Sequence, residues 1–199
     1  MQLVISVFEQ GFIYAVMALG IYITYKILDF PDLTVDGSFP MGAAIAAILI
    51  TNGVPAILTL PIALAAGAAV GFLTGVIHVK LHVRDLLSGI IMMTALYSIN
   101  LRIMGRANTP LYANETIFEN DLVNGIFTGA LEDFKITIIL LVIVIVVKLV
   151  LDWYMRTKSG FLLRAVGSND TIVTSLGVDK GKVRIVGLMI ANALVAMSG

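Results

Sequence analysis

Residues 56–79 read AILTLPIALAAGAAVGFLTGVIHV, a run without a single Asp, Glu, Lys or Arg. A helix needs roughly 20 mainly apolar residues to cross the hydrocarbon of a bilayer, and this run meets that length. Within it Gly67, Gly71 and Gly75 recur every four residues, with Ala63 one step earlier. On a helix these positions form one stripe of small side chains. In lipid, where packing and not the hydrophobic effect drives association, such a stripe lets two helices approach closely. The stretch therefore predicts a membrane helix with a tight helix–helix seam at Gly67, Gly71 and Gly75, within a compact bundle.

The rest of the chain agrees in composition. Of 199 residues 59% are hydrophobic and only 13% charged, and mean hydropathy is +0.99. A soluble domain sits near 45–50% apolar and about 25% charged, enough to clothe its surface. Thirteen basic and thirteen acidic residues, with formal net charge zero, are too few for that skin and give no electrostatic footprint for nucleic acid. Cysteine is absent, which removes disulfides, thiolate metal sites and cysteine nucleophiles. Met1–Phe8 carries no Lys or Arg and no cleavage site ends the first apolar stretch, so that stretch is expected to be a permanent span.

The expected architecture is an all-α polytopic bundle forming a single transmembrane domain over residues 1–199. It has about six spans: 3–27, 39–51 (short), 56–79, 86–104, 136–151 and a last run from near Val183 to Gly199. The last is about as long as the shortest workable span, with no charged or aromatic anchor behind it, and the chain is expected to be truncated at its C-terminus. Lys and Arg in short loops set orientation. Lys80 and Arg84 make one loop basic, and Arg156, Lys158, Arg164, Lys180, Lys182 and Arg184 another. The segment 105–134 sets Arg106 against Glu115, Glu119, Asp121, Glu132 and Asp133. Basic loops inside and the acidic one outside place the N-terminus outside.

No catalytic signature stands out. There is no His-Glu-x-x-His, no Gly-x-Ser-x-Gly, and Gly181-Lys182 lacks the glycine and hydroxyl of a P-loop. ATP, if used, must be held by another subunit. His78 and His82 lie four apart but lack a third ligand for zinc, and they read as interfacial residues. Asn114-Glu115-Thr116 matches a glycosylation acceptor by a pattern that arises often by chance. Two segments carry more. In LDFPDLTVDGSFPMGAA, residues 28–44, Asp29, Asp32 and Asp36 lie between apolar runs, and Pro31, Gly37 and Pro40 prevent one continuous helix. Broken helices at membrane depth survive only where protein or water satisfies the freed backbone, and transporters build sites and gates from them. An ordinary solvated turn is the competing reading, and a proton relay through the aspartates a third. In GFLLRAVGSNDTIVTSLG, residues 160–177, apolar and polar residues alternate as in a short amphipathic helix or helix pair. It would rest on lipid or insert into a groove on a soluble partner.

These two segments resemble permeases of bacterial sugar and branched-chain amino acid ABC importers. Pro31 to Ser38, followed by Met41-Gly42-Ala43-Ala44, is similar to their early Asp-Leu-Ser/Thr-Val-Gly-Ser region. Asp29 to Ser38 matches throughout the string Asp-Phe-Pro-Asp-Leu-Thr-Val-Asp-Gly-Ser, the hallmark of one subgroup. Gly160, Arg164, Ala165, Val166, Gly167, Asn169 and Gly177 resemble the cytoplasmic loop that docks on the ATPase. Ile172 and Val173 stand where small residues are usual, and Ala196 where many relatives have glycine. The resemblance implies a permease subunit of an importer in the bacterial cell membrane, binding no cofactor itself, with ATP consumed by partner ATPases. It also implies a second permease copy, identical or related, and an external binding protein or lipoprotein, for which residues 105–134 are a candidate contact. It assigns Asp29, Asp32, Thr34, Asp36, Gly37 and Ser38 to the substrate pathway or gate, and Gly160, Arg164, Ala165, Gly167, Asn169 and Gly177 to ATPase docking. The solute would be an amino acid or related small molecule, moved by alternating access. An ion-coupled secondary transporter and a structural membrane subunit without a pathway are the alternatives.

Overall fold

The computed structural model describes residues 2–105, 109, 111, 116–118, 134–175 and 177–199. Among these every regular element is a helix. In chain order they are α1 (Gln2–Tyr22), which continues into a π-helical turn (Ile23–Ile27), α2 (Val35–Thr51), α3 (Ala56–Lys80), α4 (Asp85–Met104), α5 (Lys135–Met155), α6 (Lys158–Ser168), α7 (Asp170–Ser175) and α8 (Lys180–Ser198). Five are long and apolar enough to cross a membrane: Leu3–Ile27, α3, α4, α5 and α8; α2, with 17 residues, is shorter. Within hydrocarbon a backbone must satisfy its own polar groups, and a helix does so locally. That requirement also overrides the strand preference of the Ile- and Val-rich α5. Most of segment 105–134, including its acids and Asn114 and Glu115 of the acceptor pattern, lies outside the described residues.

The helix boundaries follow local chemistry. Gly53 turns the α2–α3 corner with φ +80°, and Gly105 ends α4 with φ +63°, a left-handed conformation that costs glycine little. The Thr157 hydroxyl accepts from Gly160 N–H at the start of α6, and the Asp179 carboxylate from Gly181 and Lys182 N–H at the start of α8. One expectation needs correction: α2 begins at Val35, not Phe39, and runs unbroken through Gly37 and Pro40. Only the stretch around Pro31 interrupts the first helical pair. Pro40 removes the donor that the Asp36 carbonyl would receive. That vacancy falls near the exposed start of the helix, where Asp36 and Pro40 both face outward.

The organising element is α8. Three neighbours meet it through glycines. A Cβ added at Gly20 of α1 would lie 2.7 Å from the Ala191 carbonyl oxygen, and one at Gly42 of α2 would overlap the Ala196 carbonyl. On α3, Gly67 and Gly71 sit against the Asn192 and Leu188 carbonyls, and a Cβ at Gly75 would lie 3.0 Å from Ile185 Cα. Such approach brings backbones into contact along most of the α3–α8 seam. Leu188, Ala191, Asn192, Val195 and Ala196 are fully buried as a result. By contrast Leu3, Val7, Phe8, Leu149, Val150 and Trp153 of α1 and α5 are exposed by more than half. In water that apolar girdle would drive aggregation; against lipid it is the normal solvent-facing surface.

A buried polar cluster at the helix break

The break starts where the π-helical turn runs out. Leu28 N–H bonds the Ile23 carbonyl at 3.0 Å and Phe30 N–H the Thr24 carbonyl at 2.9 Å. Between them Asp29 adopts φ +51°, a left-handed conformation that a short polar side chain tolerates better than most. The chain then passes through Pro31, which neither donates a backbone bond nor allows a helical residue before it. Asp32 closes the break with an Asx turn, its Oδ1 accepting Thr34 N–H at 2.9 Å. From there α2 can begin.

Asp32 is only 8% exposed, and its second oxygen, Oδ2, accepts from Asn192 Nδ2 at 2.8 Å. The Asn192 amide holds the first turn of α2 too. Its Oδ1 accepts from the Ser38 hydroxyl at 2.6 Å, and its Nδ2 also reaches the Leu188 carbonyl at 3.1 Å. The Thr34 hydroxyl shares a hydrogen bond with that of Thr74 on α3, 3.2 Å away. Thr34, Ser38, Thr74 and Asn192 are fully buried. On the opposite side Asn100 of α4 donates to the Gly37 carbonyl at 3.0 Å, while its own Oδ1 is buried with no partner among the described residues. Asn192 stands about 18 Å along α8 from its start, in a hydrocarbon layer about 30 Å thick. The broken segment thus carries a carboxylate well inside the bundle, at a depth where unpaired charge is expensive and polar side chains mark function.

The candidate residues separate into distinct environments. Asp32, Thr34 and Ser38 belong to the buried cluster. Gly37 packs on Leu96, whose Cβ would be 2.8 Å from a Cβ added there. Asp36 is exposed in the first turn of α2, where the helix dipole favours a carboxylate. Asp29 lies apart, lining a polar cleft of about 410 Å³ with Leu28, Val166, Gly167, Ser168, Asn169 and Arg184. That cleft joins the two segments singled out from sequence. Gly167 presses on the break itself, since a Cβ there would overlap the Ile27 carbonyl. Gly160 makes the tight α5–α6 corner, where a Cβ would lie 2.5 Å from Met155 Cα. Arg164 is exposed and Ala165 half-buried on α6. Asn169 Oδ1 accepts from Thr171 N–H at 3.1 Å and so starts α7. Gly177 takes φ +74° before α8.

The two histidines do not share a helix face. His78 lies in the last turn of α3, while His82 follows the helix with φ +55°. His78 Nδ1 pairs with the Val83 carbonyl at 2.9 Å, Nε2 lies 3.2 Å from Arg184 Nη1, and the ring meets Phe30 edge-on. With Nδ1 protonated toward the carbonyl, Nε2 accepts from the arginine. Among the described residues no group of three or more His, Cys, Asp or Glu could hold a metal ion.

Asn192 is the residue that sequence reasoning missed. Its signal was a lone side-chain amide inside the otherwise apolar run Ile185–Val195, which in a membrane helix asks for a partner. Nothing in the sequence says that the partners are Asp32 and Ser38, more than 150 positions away.

Comparison with known proteins identifies the company this arrangement keeps. The family model described as branched-chain amino acid transport system / permease component matches residues 3–199. A tyrosine transport system permease protein of Clostridioides difficile (strain R20291) is 42% identical over 98% of this chain and 62% of its own length. An uncharacterised protein of Rickettsia prowazekii (strain Madrid E) is 32% identical over 100% of this chain and 67% of its own. The ribose import permease of Escherichia coli (strain K12) is 26% identical over 98% and 59%. The chain therefore spans about three fifths to two thirds of these relatives. No solved structure matches it.

Proposed function

Because the chain belongs to the family of branched-chain amino acid transport system permease components, we propose that it is the non-catalytic membrane subunit of an ATP-driven importer of a small organic solute. The family match over residues 3–199 carries this reading. The site geometry supports a mechanism for it. A continuous α1–α2 pair would need no buried carboxylate. Instead the break is tied to α8 by Asp32–Asn192–Ser38 and to α3 by Thr34–Thr74, and it rests on α6 at Gly167. In alternating access the break is the gate, and the α6–α7 pair, with Gly160, Arg164, Ala165, Gly167, Asn169 and Gly177, is the ATPase contact. Displacement of α6 reaches Ile27 and Leu28 directly and alters the hydrogen bonds of Asp32. Coupling of this kind needs two arrangements that differ in free energy with partner state, and no covalent step in this chain.

The basic loops around Lys80 and Lys158 face the cytoplasm in this reading, with the N-terminus outside. Two cytoplasmic ATPases, a second permease copy and an external binding protein complete the assembly in a bacterial cell membrane. A tyrosine permease among the relatives favours an amino acid, and a ribose permease extends the range to other small polar solutes. The test is a tagged pull-down of the full-length protein from gently solubilised, cross-linked native membranes, read by mass spectrometry. The proposal expects an ATPase subunit and an external binding protein in the captured set. A chain recovered alone or only with itself contradicts it and favours an ion-coupled transporter.

A further inference from the structure

A second site lies at the end of the bundle that holds Lys80 and Lys180, outside the cluster described above. A cleft of about 560 Å³ opens between the end of α3, the start of α4 and the start of α8, lined by His78, Val79, His82, Val83, Arg84, Asp85, Asp179, Lys180, Gly181 and Arg184. Three cationic side chains and two imidazoles therefore meet two carboxylates there. Both carboxylates are engaged in holding helix starts. Asp179 Oδ1 accepts from Gly181 and Lys182 N–H, while its Oδ2 lies 3.7 Å from the Lys182 ammonium; Asp85 Oδ1 accepts from Leu86 N–H. The loop carrying Arg84 is fixed by the His78–Val83 bond at 2.9 Å, and His82 is held in a left-handed backbone conformation that only one other non-glycine residue adopts among those described. Such conformations persist where surrounding structure enforces them, and they cluster at binding sites. Beside the cleft Leu81, Leu86 and Leu87 are exposed by 67%, 47% and 50%.

We propose that this cleft binds an anionic phospholipid, with His82, Arg84, Lys180 and Arg184 around the headgroup phosphate and Leu81, Leu86 and Leu87 along the acyl chains. The place suits the ligand. Helices of spanning length end here, so the cleft stands at headgroup level, and basic pockets between helices at that level select anionic lipids. The exposed leucines distinguish a lipid from a free phosphate, which gains nothing from apolar surface. The proposal rests on the membrane placement of the bundle and not on the importer reading, so either can fail alone. A bound lipid would also brace the His78–Arg184 contact, which links α3 to α8 beside Phe30 of the break.

The experiment is native mass spectrometry of the full-length, delipidated protein in detergent, titrated with phosphatidylglycerol, with phosphatidylcholine of the same chain length, and with inorganic phosphate as competitor. The expected result is preferential retention of phosphatidylglycerol and loss of about tenfold or more in affinity in the Arg84→Gln/Lys180→Gln double variant. A Lys148→Gln control, whose charge lies on α5 paired with Asp152, should bind like the parent. Thermal unfolding of each variant without lipid checks that the fold is intact. If the double variant unfolds, the contrast between phosphatidylglycerol and phosphatidylcholine on the parent protein decides alone. Equal binding of both lipids overturns the proposal. So does complete displacement by millimolar phosphate, which would make the cleft a soluble-anion site. Unchanged lipid binding with loss of a co-purifying ATPase would make it a protein contact and overturn it as well.

Discussion

The carboxylate of Asp32 and the side-chain amide of Asn192 lie 2.8 Å apart although 160 positions separate them in the chain. One amide, on the most enclosed helix of the bundle, grips the break at Asp32 and the first turn of α2 at Ser38. Its removal leaves the Asp32 Oδ2 and the Ser38 hydroxyl without these partners in a buried site. Asn192→Leu should therefore destabilise the protein by about 1–3 kcal/mol, the cost of orphaned buried polar groups. A thermal-unfolding series in detergent measures it, and an unchanged midpoint would show that the pair carries no such weight.

The two oxygens of Asp32 have separate partners. In Asp32→Asn, Oδ1 still accepts from Thr34 N–H, so the Asx turn survives, but the new Nδ2 is a donor facing the Asn192 Nδ2 donor. The thermal midpoint should fall by the equivalent of about 1–3 kcal/mol, with uptake per folded protein reduced at least tenfold. Asp36→Asn, at the exposed start of α2, should reduce uptake less. Equal and normal uptake in both variants would remove the break from the pathway.

The seam between α3 and α8 predicts a contrast among glycines. Gly71→Ala puts a Cβ into the Leu188 carbonyl and should cost about 1–3 kcal/mol, as overpacking does. Gly11→Ala meets nothing within 4 Å on α1 and should be neutral or stabilising by up to about 1 kcal/mol, through helix propensity. Equal effects at the two positions would refute a close α3–α8 approach.

At Gly167 the same test addresses function. A methyl group there collides with the Ile27 carbonyl and pushes α6 off the break. Gly167→Ala should leave ATPase subunits bound and hydrolysing while uptake falls severalfold. Loss of the bound ATPase instead would make Gly167 part of the docking surface alone.

His78 joins α3, α8 and the break. His78→Phe keeps a ring against Phe30 but loses the bonds to Val83 and Arg184. Hydrogen exchange at residues 81–84 should quicken, reflecting about 1 kcal/mol of lost restraint; unchanged exchange would show the loop is held by other contacts.

The spans were legible because each is a long apolar run with too few charges for water, and the glycine spacing in 67–75 named the face of α3 in contact with a neighbour. The start of α2 was not. Gly37 and Pro40 read as breakers, but Pro40 deprives only the Asp36 carbonyl of a helical donor, at an outward-facing position, and Asn100 supplies a bond to the Gly37 carbonyl. Within the candidate site the sequence marked Asp32 and Ser38 by their place in a broken apolar stretch. It could not mark their common partner, because long-range pairing is set by how α8 threads the bundle and leaves no periodic trace. Nor could it separate Asp36 from Asp32, four residues apart yet facing outward and inward across an Asx turn.

The most direct measurement is uptake of radiolabelled tyrosine, leucine and ribose into proteoliposomes holding the full-length permease, its co-purified ATPase and its binding protein, with ATP or an imposed proton or sodium gradient as the only energy source. An ATP-driven importer gated at the break should take up at least one probe in a manner that requires ATP, persists with ionophores, and collapses in Asp32→Asn. Uptake driven by an ion gradient without ATP would contradict it, and so would ATP-driven uptake untouched by Asp32→Asn.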